Sequence, residues 1–166
     1  MVNWPLIGSI ILPNAGGWLS ALTMAGQVKK PDGTAWYQTI KKPTWTPPDW
    51  VFGPAWTALY ISMGCASYFV YTECGGFNKK ALLPLSLYGG QLLLNWTWTP
   101  VFFGCQQIKL GLFHILALDV AAVACTATFF EVNKTAGYLM LPYLAWLSYA
   151  SFLNYTIFKL NKDKDN

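Results

Sequence analysis

The sequence predicts an all-α integral membrane protein, a bundle of five transmembrane helices forming one domain over residues 1–166. Three observations carry this. Only 18 of the 166 residues are formally charged (11 Lys, seven Asp or Glu, no Arg), which is 11% against about 25% in a soluble domain. Apolar residues make up 54% and aromatic residues 17%, which excludes disorder and leaves too few polar side chains to cover a surface facing water. The charges also fall between long apolar runs. Residues 1–28, 51–72, 81–108 and 135–158 carry none, and 110–130 is interrupted only by His114 and Asp119. A helix needs about 20 apolar residues to cross the hydrocarbon core, whereas a barrel strand alternates over about 10, and these runs do not alternate.

Taken in order, the expected spans are 4–28, 47–72, 81–104, 108–130 and 136–159. The first is read as a retained helix and not a cleaved leader, because its first positive charge, Lys29, follows the apolar run. Residues 29–46 form a loop rich in tryptophan and stiffened, with the residues after it, by Pro31, Pro43, Pro47 and Pro48. An interfacial aromatic belt would need no such rigidity, so the loop is expected to act as a lid. Thr46, Pro47 and Asp49 suit the N-cap, first and third positions of a helix, which starts the second span at Pro47. Lys79, Lys80 and Lys134 lie on one side of the five spans, against eight lysines (29, 30, 41, 42, 109, 159, 162, 164) on the other. The positive-inside rule then places the first loop and the C-terminus in the cytosol.

Polar and aromatic residues share helical faces within the spans. Trp56, Tyr60, Met63, Ser67 and Tyr71 follow spacings of three or four, as do Tyr88, Gln91, Asn95, Trp98 and Phe102. Tyr143, Trp146, Ala150, Leu153 and Asn154 form a third stripe. Unpaired amides in lipid are costly, so these faces turn inward. One explanation is hydrogen bonding between helices. The combination of neutral polar groups, flat walls and small gaps points further, to a pocket for a large, planar, mostly apolar ligand. Asp119, near the middle of the fourth span, has no Arg to pair with. It is protonated, faces a polar cavity, or bonds to a neighbouring helix. His114 is the sole histidine, hence the only ordinary nitrogen ligand for haem iron, though a packing role is the plainer reading. Cys65, Cys74, Cys105 and Cys125 show no metal or redox spacing, and the Asn-x-Thr triplets at Asn95, Asn133 and Asn154 are read as chance. No nucleotide loop, metal cluster or nucleophile beside a histidine is evident, and no nucleic-acid partner is expected.

The residues carry a family resemblance. Trp36-Tyr37, the run from Lys42 through Trp45 to Pro48, Pro54-Ala55-Trp56 and Leu59-Tyr60 resemble the translocator protein family, also called the peripheral-type benzodiazepine receptor or tryptophan-rich sensory protein family. So do Gly75-Gly76-Phe77, Gln91, Asn95-Trp96-Thr97-Trp98, Pro142 to Trp146 and Leu153-Asn154-Tyr155, in order along nearly the whole chain. The resemblance implies a receptor or translocator that binds porphyrins (protoporphyrin, haem) and cholesterol, with synthetic isoquinoline or benzodiazepine ligands as further partners and no obligatory cofactor. It implies the mitochondrial outer membrane, or a bacterial membrane for a prokaryotic source. Carried over by position, and joined by the lid and stripe residues Tyr37, Trp56 and Asn95, the ligand set is Ala21, Met24, Phe52, Trp98, Phe113, Trp146, Ala150 and Leu153. Trp56 and Trp146 correspond to tryptophans linked to light-dependent porphyrin breakdown, the enzyme-like alternative. Leu153, Tyr155 and Lys159 fit the sterol motif. Ser86-xxx-Gly90 stands where the family has Gly-xxx-Gly and keeps a homodimer on that face in view. Leu110, Phe113 and His114 depart from the pattern of animal relatives and are expected to narrow one pocket wall, while the first loop is a few residues longer.

Overall fold

The computed structural model describes residues 3–162 except 25, 29 and 31. Lys29, Pro31 and Lys164, used above in weighing charge and loop stiffness, therefore lie outside the described residues. The described residues form five long helices, α1 (Trp4–Leu22), α3 (Asp49–Glu73), α4 (Lys79–Thr99), α5 (Ile108–Val132) and α6 (Lys134–Leu160), with a single turn of helix, α2 (Trp36–Thr39), in the first loop. No strand occurs among the described residues. α1 and α5 are long and apolar enough to cross a membrane on composition alone. α3, α4 and α6 have the length, at 25, 21 and 27 residues, but spend part of their apolarity on the inward polar stripes.

Asparagine starts three of these helices. Asn3, Asn78 and Asn133 accept hydrogen bonds from Leu6, from Lys80 and Ala81, and from Ala136, satisfying donors that have no partner within the first turn. Asn133, part of a sequon by sequence, is thus a cap. The second long helix does not start as expected. Thr46 donates its hydroxyl to the Pro43 carbonyl at 2.8 Å, and Pro48 remains extended at ψ 143°, so no capping box forms and α3 begins at Asp49. The cause is local: Thr46 and Pro47 each precede a proline, which disfavours helical backbone. The first span is also shorter than expected, turning at Thr23 and Met24 after Leu22. α4 gives way at Pro100 to a wide turn, Pro100–Gly104, in which the Cys105 amide donates to the Pro100 carbonyl at 3.2 Å. That turn swings Phe102 and Phe103 inward, both buried.

α1 packs on α3, α4 on α5, α5 on α6, and α3 on α6. A small buried cluster that includes Tyr37, Phe102, Phe103 and Leu153 lies beneath the first loop, and a larger one fills the bundle. Met63, Leu118, Ala122, Phe129, Met140 and Tyr143 are buried at its centre. Glycine sets the α1–α3 approach. A Cβ on Gly64 would lie 2.5 Å from the Ser9 carbonyl oxygen and 2.7 Å from the Ile10 Cα, and Gly17 faces the Tyr60 ring. Close backbone approach at small residues is how helices associate where no hydrophobic force separates them from lipid.

Candidate functional site: an aromatic cavity within the bundle

The three stripes converge. α3 contributes Trp56 and Tyr60, α4 contributes Asn95 and Trp98, and α6 contributes Trp146, Ala150, Leu153 and Asn154 to the wall of a cavity of about 280 Å³. α1 adds Ala21 and the turn after it Met24, the wide turn adds Phe102 and Phe103, and Tyr37 of α2 closes it from the loop. Ten of the eleven expected ligand-binding residues, Ala21, Met24, Tyr37, Phe52, Trp56, Asn95, Trp98, Trp146, Ala150 and Leu153, line this one space. Phe113 does not. It is 61% exposed on the outer face of α5, and Ile115 and Leu118 face the cavity instead. Two residues along a helix is about 200° of rotation, so Phe113 and Ile115 lie on opposite faces. Phe113 therefore narrows no wall. Phe102, Phe103 and Tyr60 were absent from the expected set; Tyr60 and Phe102 sit on stripes the spacing already showed. Trp18 and Gly17 had no such signal.

The loop is held down over the cavity. Trp36 meets Phe102 edge-on with centroids 5.3 Å apart, and Tyr37 meets Phe103 at 5.4 Å. Asn161 accepts from the Lys41 amide (2.9 Å) and donates to its carbonyl (2.8 Å), which ties the loop to the end of α6. The Tyr149 hydroxyl donates to the Trp45 carbonyl at 3.2 Å, and Trp45 stacks on Phe152. The Lys42 ammonium donates to the Tyr37 carbonyl and sits 4.0 Å over its ring. Burial above all, with Asp49 and Tyr149 adding to it, pushes the Tyr37 hydroxyl up to about 12. The raised value in the folded state means the loop's docking is intact below the ordinary tyrosine value near 10 and weakens as pH rises from there to about 12. Alkaline titration followed by protease cleavage within the loop is expected to show this loss in the wild type and much less of it in Tyr37→Phe.

Polar groups at the cavity divide into those already paired and those free. Tyr60 donates to the Asn95 side-chain oxygen, Asn95 Nδ2 donates to the Tyr143 hydroxyl (3.3 Å), and Tyr143 donates to Gln91 Oε1 (2.8 Å). Gln91 in turn reaches the Met63 sulfur at 3.9 Å. Trp98 Nε1 donates to the Gly111 carbonyl at 3.0 Å. Asn95 and Trp98 thus offer a ligand mainly surface, since their leading hydrogen bonds are made inside the protein. Trp146 Nε1 and Asn154 Oδ1 are buried without a partner. A buried polar atom left unpaired costs about 1–3 kcal/mol, and a ligand's donor or acceptor relieves it. The terminal torsion of asparagine is broad, so either end of the Asn154 amide can turn to the cavity wall.

The remaining expected residues fall elsewhere. Leu153 lies on the cavity, but Tyr155 is 50% exposed on the outer face of α6 with exposed Lys159 one turn beyond. The three residues of the sterol motif do not form a single site. Asp119 accepts from the Ser151 hydroxyl at 2.7 Å, which joins α5 to α6 away from the cavity. His114 Nε2 lies 2.8 Å from the Leu94 carbonyl oxygen and 3.4 Å from the Thr97 hydroxyl, bridging α5 to α4. Ser86 and Gly90 are exposed on the outer side of α4. No metal-binding group of His, Cys, Asp and Glu occurs among the described residues.

Fold and site together define a class: a helical membrane protein built around an aromatic cavity roofed by a tethered loop. The family model of the TspO/MBR family matches residues 9–160, and the chain belongs to that family. It is 42% identical over 157 residues to the human translocator protein, covering 95% of this chain and 90% of the relative. It is 41% identical over 147 residues to the tryptophan-rich protein TspO of Chlorobaculum tepidum, covering 87% and 92%. A tryptophan-rich sensory protein from Cereibacter sphaeroides is 38% identical over 136 residues, 82% of each chain.

Proposed function

We propose that the chain crosses the membrane five times and binds porphyrins (protoporphyrin, haem) and cholesterol in the intrabundle cavity, supporting their transport or sensing. The observation that carries this is the cavity itself: three tryptophans, Trp56, Trp98 and Trp146, line one space, and two of the lining residues, Trp146 and Asn154, each carry a buried polar atom without a partner. Flat aromatic walls give a planar ligand large contact area at little entropic cost, and a few polar groups orient it. The translocator and sensory names of the relatives support the same reading. Synthetic isoquinoline or benzodiazepine ligands would compete for this space, and no cofactor is required. In an animal cell the setting is the mitochondrial outer membrane with the first loop and C-terminus in the cytosol; in a prokaryote it is the cell membrane. A homodimer would use the α4 face of Ser86 and Gly90.

Trp146 makes the ring contact with Phe52 at 5.9 Å and carries one of the unpaired donors. Trp146→Ala is expected to weaken protoporphyrin binding by about 1 kcal/mol or more, the order of an aromatic contact. Quenching of tryptophan fluorescence by protoporphyrin measures it, and an unchanged midpoint counts against the site. A second reading, light-dependent porphyrin breakdown, is favoured by Trp56 and Trp146 facing the same cavity, with Trp56 stacked on Tyr60 at 5.5 Å. Under illumination it predicts a new bilin-like absorbance, where simple binding gives only the bleaching of free porphyrin.

A further inference from the structure

We propose that ligands enter and leave the cavity sideways, from the bilayer, through a slot between α1 and α3 below the loop, and not through the roof. This rests on the five-span reading and on the cavity as the ligand site. The two helices are joined along the part of their length remote from the loop. There Gly64 lies against the backbone of Ser9 and Ile10, and Gly17 lies against the Tyr60 ring. Toward the loop the joint ends. A Cβ on Gly53 would meet nothing within 4 Å, and Gly53 is exposed although it lines the cavity. Across from it on α1, Trp18 is 61% exposed and Ala21 is exposed, and both also line the cavity. The same residues thus face the ligand space and the surroundings, which defines an opening. From Tyr60 to Gly53 is about 10 Å of helix, a slot tall enough for the edge of a flat ring system. Its rim carries no charge until Asp49, at the start of α3.

The roof offers no comparable path. Opening it breaks both hydrogen bonds between Lys41 and Asn161, the Tyr149–Trp45 bond, and the contacts of Trp36 and Tyr37 with Phe102 and Phe103. Opening the slot breaks none of these. A molecule already dissolved in the bilayer therefore reaches the cavity without crossing water, which suits ligands whose apolar bodies partition into lipid.

The test is made on the full chain in phosphatidylcholine vesicles, with protoporphyrin as the probe and tryptophan quenching as the stopped-flow signal. Gly53→Cys is modified with a benzyl methanethiosulfonate reagent, the wild type treated identically serving as the control for Cys105. Modification is expected to slow loading of empty protein about tenfold or more, the effect of about 1.4 kcal/mol on a barrier. It is expected to slow release from preloaded protein equally, and a reducing agent restores both rates. Trp45→Ala, which loosens the roof, leaves both rates as they were. Faster exchange in Trp45→Ala with no effect of the Gly53→Cys label overturns the slot. So does slow loading with unhindered release, which means the label only fills the cavity. Absence of saturable quenching in the unmodified protein instead rejects the cavity as the porphyrin site, and the slot with it.

Discussion

Gly64→Val is expected to destabilise the protein by about 3 kcal/mol, at the upper end of what overpacking costs. Two of the branched side chain's three carbons lie beyond a Cβ that already sits 2.5 Å from the Ser9 carbonyl oxygen and 2.7 Å from the Ile10 Cα. The obstacle is backbone, which cannot swing aside as a side chain can, so α1 must move as a body away from α3. Its displacement would carry Ala21 and Met24 off the cavity wall. Gly89→Ala serves as the comparison, because a Cβ there meets nothing within 4 Å and alanine favours helix over glycine by up to about 1 kcal/mol. Unfolding in detergent by a graded denaturing surfactant is expected to order the three as Gly64→Val, wild type, Gly89→Ala. A Gly64→Val midpoint equal to the wild type would mean that α1 does not pack on α3 as described.

The second large effect is expected from Tyr143→Phe, which removes one oxygen and two hydrogen bonds. Gln91 Oε1 loses its donor, and Asn95 Nδ2 loses its acceptor, both on buried residues. In water-soluble cores two such orphans would cost about 1–3 kcal/mol each. Within a membrane single hydrogen bonds measure nearer 0.6 kcal/mol on average, because the unfolded reference state also finds partners, so about 1.2 kcal/mol is the expected total. The effect reaches the site, since Tyr60 and Asn95 form its floor and are fixed by this chain of bonds. The surfactant midpoint should fall, and the double variant Tyr143→Phe with Gln91→Leu should recover part of the loss. Two single losses that simply add would argue that Tyr143 and Gln91 are not coupled.

The helices and the inward faces were legible because both are periodic. A stripe such as Trp56, Tyr60, Met63 and Ser67 repeats at helical spacing, and lipid forbids it to face outward, so one sequence feature decides both local structure and packing. What failed was not periodic. The start of α3 depended on two successive residues that each precede proline, a local restriction that outweighed a good capping pattern at Thr46. The first helix was extended too far because an apolar turn after Leu22 has the same composition as an apolar helix. Phe113 was misplaced because it was carried over by position, where Ile115 and Leu118 were available on the face that turns to Trp98. The pairing state of polar groups was wholly hidden. Asn95 and Asn154 look alike in sequence, yet Asn95 is engaged by Tyr60 and Tyr143 while the Asn154 oxygen has no partner, a difference set by which phenols the fold brings near.

Ala150 lies in the wall between Trp146 and Asn154, and its small side chain helps leave the space open. Titration of the purified protein with protoporphyrin, alongside Ala150→Phe, tests the cavity as the binding site most directly. Saturable quenching at one porphyrin per chain in the wild type, with the midpoint raised about tenfold or more in Ala150→Phe, is the predicted result, since filling the space excludes the ligand at a cost of at least about 1.4 kcal/mol. Quenching that rises without saturation, or the same midpoint in both proteins, would contradict it.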